Sequence, residues 1–270
     1  MLNDQDYEVV LKVSQHANNI SSLTKLAIKE GADIVVACGG DGTINEVASQ
    51  LVNTQIPLGI IKFGSGNGLA AHLNIPDELL KALETIKHCK SIKIDVGVVN
   101  EYFFFSNMSI GVGAKVINNY TGLKKRQFIS YLRATLKALR TKTSSLKVDL
   151  EIGDFKKAIT PFVLFVSNSN EMGYKMSFTP QASLRDGKLD VVFTDQLSFL
   201  QTLTFANQII FFKNKKFKKA DYFLTEQMRV TNKEEDHFLI QLDGESVIID
   251  SKELKISVKK AALNVIIPEL

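Results

Sequence analysis

The sequence has few of the residues that build metal centres or disulfide frameworks. Among 270 residues there are only two cysteines, Cys38 and Cys89, and four histidines. No CxxC or HExxH pattern occurs, which argues against a zinc site. No apolar run reaches the roughly 18 residues that a membrane-spanning helix needs. The first residues also lack the basic start and apolar block of a secretory signal, so we expect a cytoplasmic protein.

Positive charge is unevenly distributed, although the formal net charge is only +4. Thr121–Lys147 contains eight basic residues and no acidic ones, and Gln208–Ala220 contains five lysines and no acid. Such blocks suit an anionic partner, either a nucleic acid or a lipid headgroup surface. Charge alone slightly favours the plainer interpretation, which is a solvated helix face.

The first third of the chain alternates strand-like and helix-like segments. Its β-branched runs are Tyr7–Val13, Asp33–Ala37 and Pro57–Ile61, and segments with helical spacing of apolar residues lie between and after them. This order predicts an α/β domain in which helices cover a parallel sheet.

Strand-like runs dominate after about Ser91, among them Tyr102–Ile110, Phe223–Val230, Leu254–Val258 and Leu263–Ile267. Two helical segments, near residues 127–141 and 198–212, interrupt them. This pattern predicts a mostly antiparallel, β-rich domain. We therefore expect an α/β domain over residues 1–92 and a β-rich domain over residues 93–270.

The strongest local signal is a glycine-rich turn at Gly39–Glu46 (GGDGTINE), directly after a predicted buried strand. Glycines let the backbone approach a ligand closely, and the N–H groups of the following helix suit phosphate. Asp41 would repel phosphate by itself. It makes sense if it holds Mg²⁺ or accepts the proton of an attacking hydroxyl. A plain turn, with Asp41 capping the helix, explains the same residues about equally well.

A second glycine turn decides between these interpretations. Gly64–Asn67 (GSGN) also lies between a predicted strand and a helix. Two such turns on neighbouring parallel strands meet at the carboxyl edge of the sheet, where open α/β sheets bind ligands. The pair therefore favours a site for nucleotide phosphates.

The two blocks Gly39–Val47 (GGDGTINEV) and Pro57–Ala70 (PLGIIKFGSGNGLA) resemble the catalytic core of the diacylglycerol kinase and sphingosine kinase superfamily. Pro180–Val191 (PQASLRDGKLDV) and Asp243–Glu245 (DGE) resemble later motifs of the same family. The four blocks cover most of the chain in the family's order. NAD kinases share the GGDG turn, and a soluble kinase of that kind stays an alternative.

The resemblance implies an ATP-dependent lipid kinase with an NAD kinase-like nucleotide domain, a β-rich lipid domain and an active site between them. Asp243 would help to deprotonate the lipid hydroxyl, Glu245 would lie near Mg²⁺, and Asp41 would serve either role. The residues implied to contact the nucleotide are Gly39, Gly40, Asp41, Gly42, Thr43, Glu46, Gly64, Ser65, Gly66 and Asn67. The residues implied at a structural Mg²⁺ site are Ser183, Asp186 and Lys188.

The sequence departs from the family pattern at its beginning. The first strand and its Asn-Pro-x-Ser-Gly-like turn, which contacts ATP phosphates in the family, have no counterpart here. We therefore expect a truncated parallel sheet, either in a fragment or in a shortened member. A catalytically weakened pseudokinase that binds lipid stays open.

The resemblance also gives the basic segments a meaning. A lipid kinase must reach its substrate at the bilayer, and Gln127–Lys142 and Phe211–Lys219 interleave basic and aromatic residues. We expect them to make reversible contact with the anionic inner membrane surface. No nucleic-acid motif occurs, so nucleic acid is not an expected partner. The lipid acceptor and a homodimeric state are left open.

Overall fold

The structure is a computed structural model that describes residues 7–16, 19–64, 66–111, 114, 146–172, 177–198, 200–202, 204–205, 207 and 217–269. The helices with defined bounds are α1 (Ile20–Lys29), α2 (Asp41–Leu51), α3 (Gly68–His72) and α4 (Leu79–His88). Across the described ranges, no helix is both long enough and apolar enough to cross a membrane.

The strands in these ranges form two sheets. They are β1 (Val35–Gly39), β2 (Leu58–Lys62), β3 (Ser91–Val99), β4 (Tyr102–Phe104), β5 (Asn107–Gly111), β6 (Val148–Ile152), β7 (Phe155–Ile159), β8 (Val163–Ser167), β9 (Leu189–Thr194), β10 (Asp221–Thr225), β11 (Gln227–Asn232), β12 (Phe238–Leu242), β13 (Glu245–Ile249) and β14 (Glu253–Ile266). The larger sheet has the order β1-β2-β14-β11-β6-β7, with β3 and β4 attached to β14. The smaller sheet has the order β10-β9-β8-β5-β12-β13.

The long strand β14 connects the two halves of the chain. It pairs antiparallel with β11 and β3, and parallel with β2 through Val265 and Leu58. The pairing with β3 shifts between Lys259 and Leu263, where the strand bulges. The predicted domain boundary at residues 92 and 93 lies inside β3, so one sheet continues across it.

Each half has its own apolar core. One core joins β1 and β2 to the buried faces of α2 and α3. The other lies between the two sheets and is built from alternate residues of β5, β6, β8, β9, β11, β12 and the first part of β14. The predicted fold class, an α/β part followed by a mostly antiparallel β-rich part, is confirmed.

Three strand predictions are wrong in detail, and one of them, Phe223–Val230, is divided between two strands of different sheets, β10 and β11. Tyr7–Val13 has no strand pairing in the described chain, and its apolar side chains are exposed, with Leu11 at 81 %. A strand needs a neighbour to satisfy its backbone. The nearest strand in sequence, β1, pairs with β2 and not with this segment, so Tyr7–Val13 has no such neighbour among the described residues. Tyr102–Ile110 is interrupted at Phe105 and Ser106, because the N–H groups there bond to the side chain of Asp243 instead of to a strand.

The two basic segments lie mostly outside the described residues. This applies to Gln127–Lys142 entirely, and to all of Phe211–Lys219 except its last three residues. In the second segment, the described Phe217 is buried in the protein and is not available to a membrane surface. Its side chain is only 7 % exposed, and its ring centroid lies 5.0 Å from that of Phe205. The adjacent Lys218 and Lys219 are exposed.

Candidate active site

Two glycine-rich turns meet at one edge of the larger sheet. The first lies between β1 and α2, where Gly40 precedes the helix with extended backbone angles (φ −93°, ψ −171°). The second follows β2, and the N–H of Phe63 donates to the carbonyl of Gly39 over 2.9 Å. A Cβ atom on Gly64 would lie 2.7 Å from Cα of Gly40, so a side chain there has no room. The turns meet because the parallel strands β1 and β2 end at the same edge.

Asp41 is the first residue of α2, and its carboxylate joins the two turns. Its Oδ2 accepts a hydrogen bond from the N–H of Asn67 at 2.8 Å, and its Oδ1 accepts one from Gly68 at 2.9 Å. The side-chain amide of Asn67 donates to the carbonyl of Gly64 within the second turn. Each carboxylate oxygen of Asp41 keeps acceptor capacity for a further ligand.

Asp243 reaches the same edge from the turn between β12 and β13, and its carboxylate accepts four hydrogen bonds. Oδ1 accepts from the backbone N–H groups of Ser106 (2.8 Å) and Asn107 (3.0 Å). Oδ2 accepts from the N–H of Phe105 (2.8 Å) and from Nδ2 of Asn45 (2.8 Å). An ionised carboxylate has about four acceptor positions, so these donors fill them. Asp243 thus holds the segment between β4 and β5 against α2.

Glu245 completes a group of three carboxylates. Its Oε1 lies 3.3 Å from the position that a Cβ atom on Gly42 would take. Oδ2 of Asp41 lies 4.0 Å from the position that a Cβ atom on Gly244, the residue before Glu245, would take. Burial and the negative charges of Asp243 and Glu245 raise the pKa of Asp41 to about 6, although its two N–H donors oppose the shift. Burial likewise raises the pKa of Asp243 against its four donors. The negative charges of this group therefore oppose one another.

The remaining predicted nucleotide residues are placed differently from one another. Oγ1 of Thr43 lies 2.5 Å from where a Cβ atom on Gly39 would be, so the hydroxyl covers the first turn. Glu46 instead faces α1, where its Oε2 accepts from the hydroxyl of Ser21 at 3.4 Å. Ser65 lies outside the described residues.

The residues expected at a structural metal site lie in the loop before β9. Oδ1 of Asp186 accepts from the N–H of Lys188 at 3.0 Å, and Oγ of Ser183 accepts from the N–H of Arg185 at 3.2 Å. In the part of the chain that the structure describes, no three His, Cys, Asp or Glu side chains form a group that could hold a metal. This metal site stays a prediction.

Asp95 anchors that loop, and the interpretation of the sequence missed it. It is 3 % exposed on β3, and its carboxylate accepts from the N–H groups of Gly187 and Ala261, both at 2.7 Å. Its own N–H donates to the carbonyl of Leu184 at 2.7 Å. An acid in a buried strand almost always has partners, which is the signal that could have identified it.

Comparison with known proteins shows the family to which the chain belongs. Residues 1–99 match the diacylglycerol kinase catalytic domain, and residues 106–267 match the YegS C-terminal NAD kinase beta sandwich-like domain. The chain belongs to the family of diacylglycerol kinases and YegS-like lipid kinases. In this family member, Asp41 comes from the first matched region, and Asp243 and Glu245 come from the second.

Relatives of this lipid kinase family member are distant in sequence. A diacylglycerol kinase of Bacillus subtilis (strain 168) is 28% identical over 243 residues, which are 87% of this chain and 79% of that protein. A diacylglycerol kinase of Staphylococcus carnosus (strain TM300) is 26% identical over 201 residues, 72% of this chain and 65% of that protein. A crystal structure of a diacylglycerol kinase from Bacillus anthracis str. Sterne has a TM-score of 0.67 at 17% identity, covering 92% of this chain and 82% of that one.

Proposed function

We propose that the chain transfers the γ-phosphate of ATP to the hydroxyl of a lipid, in the cleft where Asp41 meets Asp243 and Glu245. The observation that carries this proposal is the contact between the two glycine turns at the first turn of α2. The N–H groups of a helix start favour phosphate, and glycines leave room for it. Three carboxylates lie beside that position, and kinases use carboxylates to hold Mg²⁺ and to accept the proton of the attacking hydroxyl.

The hydrogen bonds suggest different roles for two of the carboxylates. Asp243 has no acceptor capacity left, so we assign it to positioning the segment between β4 and β5. Asp41 accepts only two hydrogen bonds, and a pKa of about 6 suits a base that works near neutral pH. The lipid O–H bond would break with its proton passing to Asp41. The lipid oxygen would bond to the γ-phosphorus as the bond to the leaving ADP oxygen breaks.

Mg²⁺ fits the donor set at this edge. This ion is held by one or two carboxylates together with substrate phosphates, and the carboxylates of Glu245 and Asp41 stand beside the glycine turns. When bound, Mg²⁺ would neutralise charge on the phosphates. Glu245 would hold it near the first turn, and the Asn67 and Gly68 N–H groups would keep Asp41 in place.

Binding of ATP can be measured at a thiol beside the site. Cys38 is exposed and lies one residue before the first glycine turn, and Cys89 is the chain's other free thiol. In a Cys89→Ser variant we expect ATP at ten times its dissociation constant to slow alkylation of Cys38 about tenfold, since bound phosphates cover the turn. The thiol of Cys38 is accessible but partly desolvated, and this desolvation raises its pKa, so the reaction needs a mildly alkaline buffer.

The matched control is Cys38→Ser, which leaves Cys89 as the reporter at the end of α4. Its alkylation should not respond to ATP. Equal alkylation of Cys38 with and without saturating ATP, in a folded protein, would contradict a nucleotide site on these turns.

Transfer itself is tested with a panel of acceptors in vesicles: diacylglycerol, monoacylglycerol, a sphingoid base, ceramide and a polyprenol, with NAD as a soluble competitor. We expect labelled phosphate on a lipid and none on NAD. Lys218 and Lys219 are exposed, and we propose that they help to dock the chain on the inner membrane surface. Transfer should therefore be faster on anionic than on neutral vesicles. Label on NAD alone would identify a soluble kinase, and ATP protection without any transfer would identify a pseudokinase.

A further inference from the structure

The turn after β8 lies against one face of α3. The N–H of Asn170 donates to Nδ1 of His72 at 2.9 Å, and the carbonyl oxygen of Glu171 lies 3.0 Å from where a Cβ atom on Gly68 would be. Gly68 and His72 are four residues apart and so share a face of the helix. Gly68 also donates its N–H to Asp41, so this contact lies directly beside the candidate active site.

Two side-chain oxygens of this turn are enclosed without a partner. Oδ1 of Asn170 and Oε2 of Glu171 are buried, and neither has a hydrogen-bond partner among the described residues. Leaving a buried polar group unpaired costs about 1–3 kcal/mol, and more for a charged one. Native proteins rarely keep such groups unpaired, which points to a partner that the described residues do not supply.

The neighbouring donors are already used. The hydroxyls of Ser106 and Ser169 both bond to the carbonyl oxygen of Glu171, at 2.7 and 2.9 Å. The N–H of Glu171 bonds to Oγ of Ser169 at 3.3 Å. Burial lowers the pKa of His72, which keeps its ring uncharged at neutral pH, and its Nδ1 is an acceptor. The N–H and hydroxyl donors named here are therefore not available to the unpaired oxygens of Asn170 and Glu171.

We propose that the turn at Asn170 and Glu171, where it lies against Gly68 and His72, binds the headgroup of the lipid acceptor through a second donor group, an amine or hydroxyl, next to the hydroxyl that receives phosphate. This inference rests on the proposed function. Diacylglycerol has one free hydroxyl, and its ester oxygens only accept hydrogen bonds. Acceptors with a second donor, such as sphingoid bases or monoacylglycerols, complement the unpaired oxygens of Asn170 and Glu171.

The test compares lipids that differ in the second donor, with Glu171→Gln as the variant. Equilibrium binding of short-chain sphingoid base, monoacylglycerol and diacylglycerol is measured first, without ATP. We expect the wild type to bind a lipid with a second donor about tenfold or more tightly than diacylglycerol, and Glu171→Gln to remove most of that preference. Diacylglycerol binding and ATP protection of Cys38 should not change. The sphingoid base and monoacylglycerol arms distinguish an amine from a hydroxyl as the second donor.

The control is Glu84→Gln. This substitution removes the same charge at an exposed position on α4, outside the proposed headgroup site. Glu171→Gln should fold at least as stably as the wild type, since it replaces a carboxylate whose Oε2 is buried without a partner among the described residues. Equal binding of all three lipids by the wild type, or an unchanged preference in Glu171→Gln, overturns the inference. Absence of transfer overturns the proposed function instead, and the binding preference still decides this inference.

Discussion

Replacing Asp243 by Asn should destabilise the protein and slow transfer together. The amide would keep one accepting oxygen and turn an NH₂ group toward two of the four donors that now bond to the carboxylate. Each buried donor left without a partner costs about 1–3 kcal/mol, so we expect a loss of about 3 kcal/mol in the free energy of unfolding. Asn also tolerates the left-handed φ of 43° at this position, so the backbone conformation contributes little to the loss.

Asp186→Asn is the matched control, because Asp186 also precedes a glycine. Asp186 is exposed, and its carboxylate accepts a hydrogen bond from the N–H of Lys188, whereas that of Asp243 accepts four. Both variants are unfolded in urea with a chelator present, and their midpoints are compared. Transfer should fall in Asp243→Asn through a lower kcat, because the segment between β4 and β5 loses its anchor beside Asp41. Equal midpoints for the two variants would show that the four hydrogen bonds contribute little to stability.

Replacing Asp41 by Asn should abolish most of the transfer while leaving the protein folded. A general base contributes about 10²–10⁴-fold to a rate, and the amide cannot accept the lipid proton. The wild-type rate should rise with pH and level off above about 6, where Asp41 is ionised. Asp33→Asn, an exposed aspartate before β1, is the control and should keep the wild-type rate. Residual transfer within a few fold of the wild type would assign the base to another group.

Stability provides an independent measurement of the same ionisation. The pKa of Asp41 is raised from 3.8 to about 6, so its favourable contribution is fully present below 3.8 and is lost as pH rises through about 6. As pH rises from 3.8 through about 6, the free energy of unfolding of the wild type should therefore fall relative to that of Asp41→Asn. A difference that stays constant between pH 3.8 and about 6 would contradict the raised pKa.

The part of the site that was predictable depends on local sequence. The glycine turns could be identified because glycines, buried strands and helix starts are recognisable within a few residues, and parallel neighbours must end at one edge. The four bonds of Asp243 were not predictable in this way. Its donors at Phe105, Ser106 and Asn107 lie more than 130 residues away in the chain. Asp-Gly between strands is also a common hairpin signal, which hides such a role.

The same limit explains what was missed. The contact of His72 with Asn170 joins residues 98 positions apart, and neither belongs to a recognisable motif. The runs Leu254–Val258 and Leu263–Ile267 were correctly predicted as strand-like, but they form the single strand β14 with a bulge between them. Alternation of apolar residues identifies a strand, whereas its neighbours and continuity depend on the whole fold.

The position of β14 has a consequence for how the protein reaches its native state. Its second half lies between β2 and β3, yet it follows every other strand of the described ranges in synthesis. A ribosome-bound chain that ends before Glu253 has β2 without its inner neighbour and β3 without its main partner. The α/β half should therefore not fold cotranslationally as a separate unit, despite coming first. Folding is expected to be slow, because contacts of such high sequence separation must form before the sheet is complete.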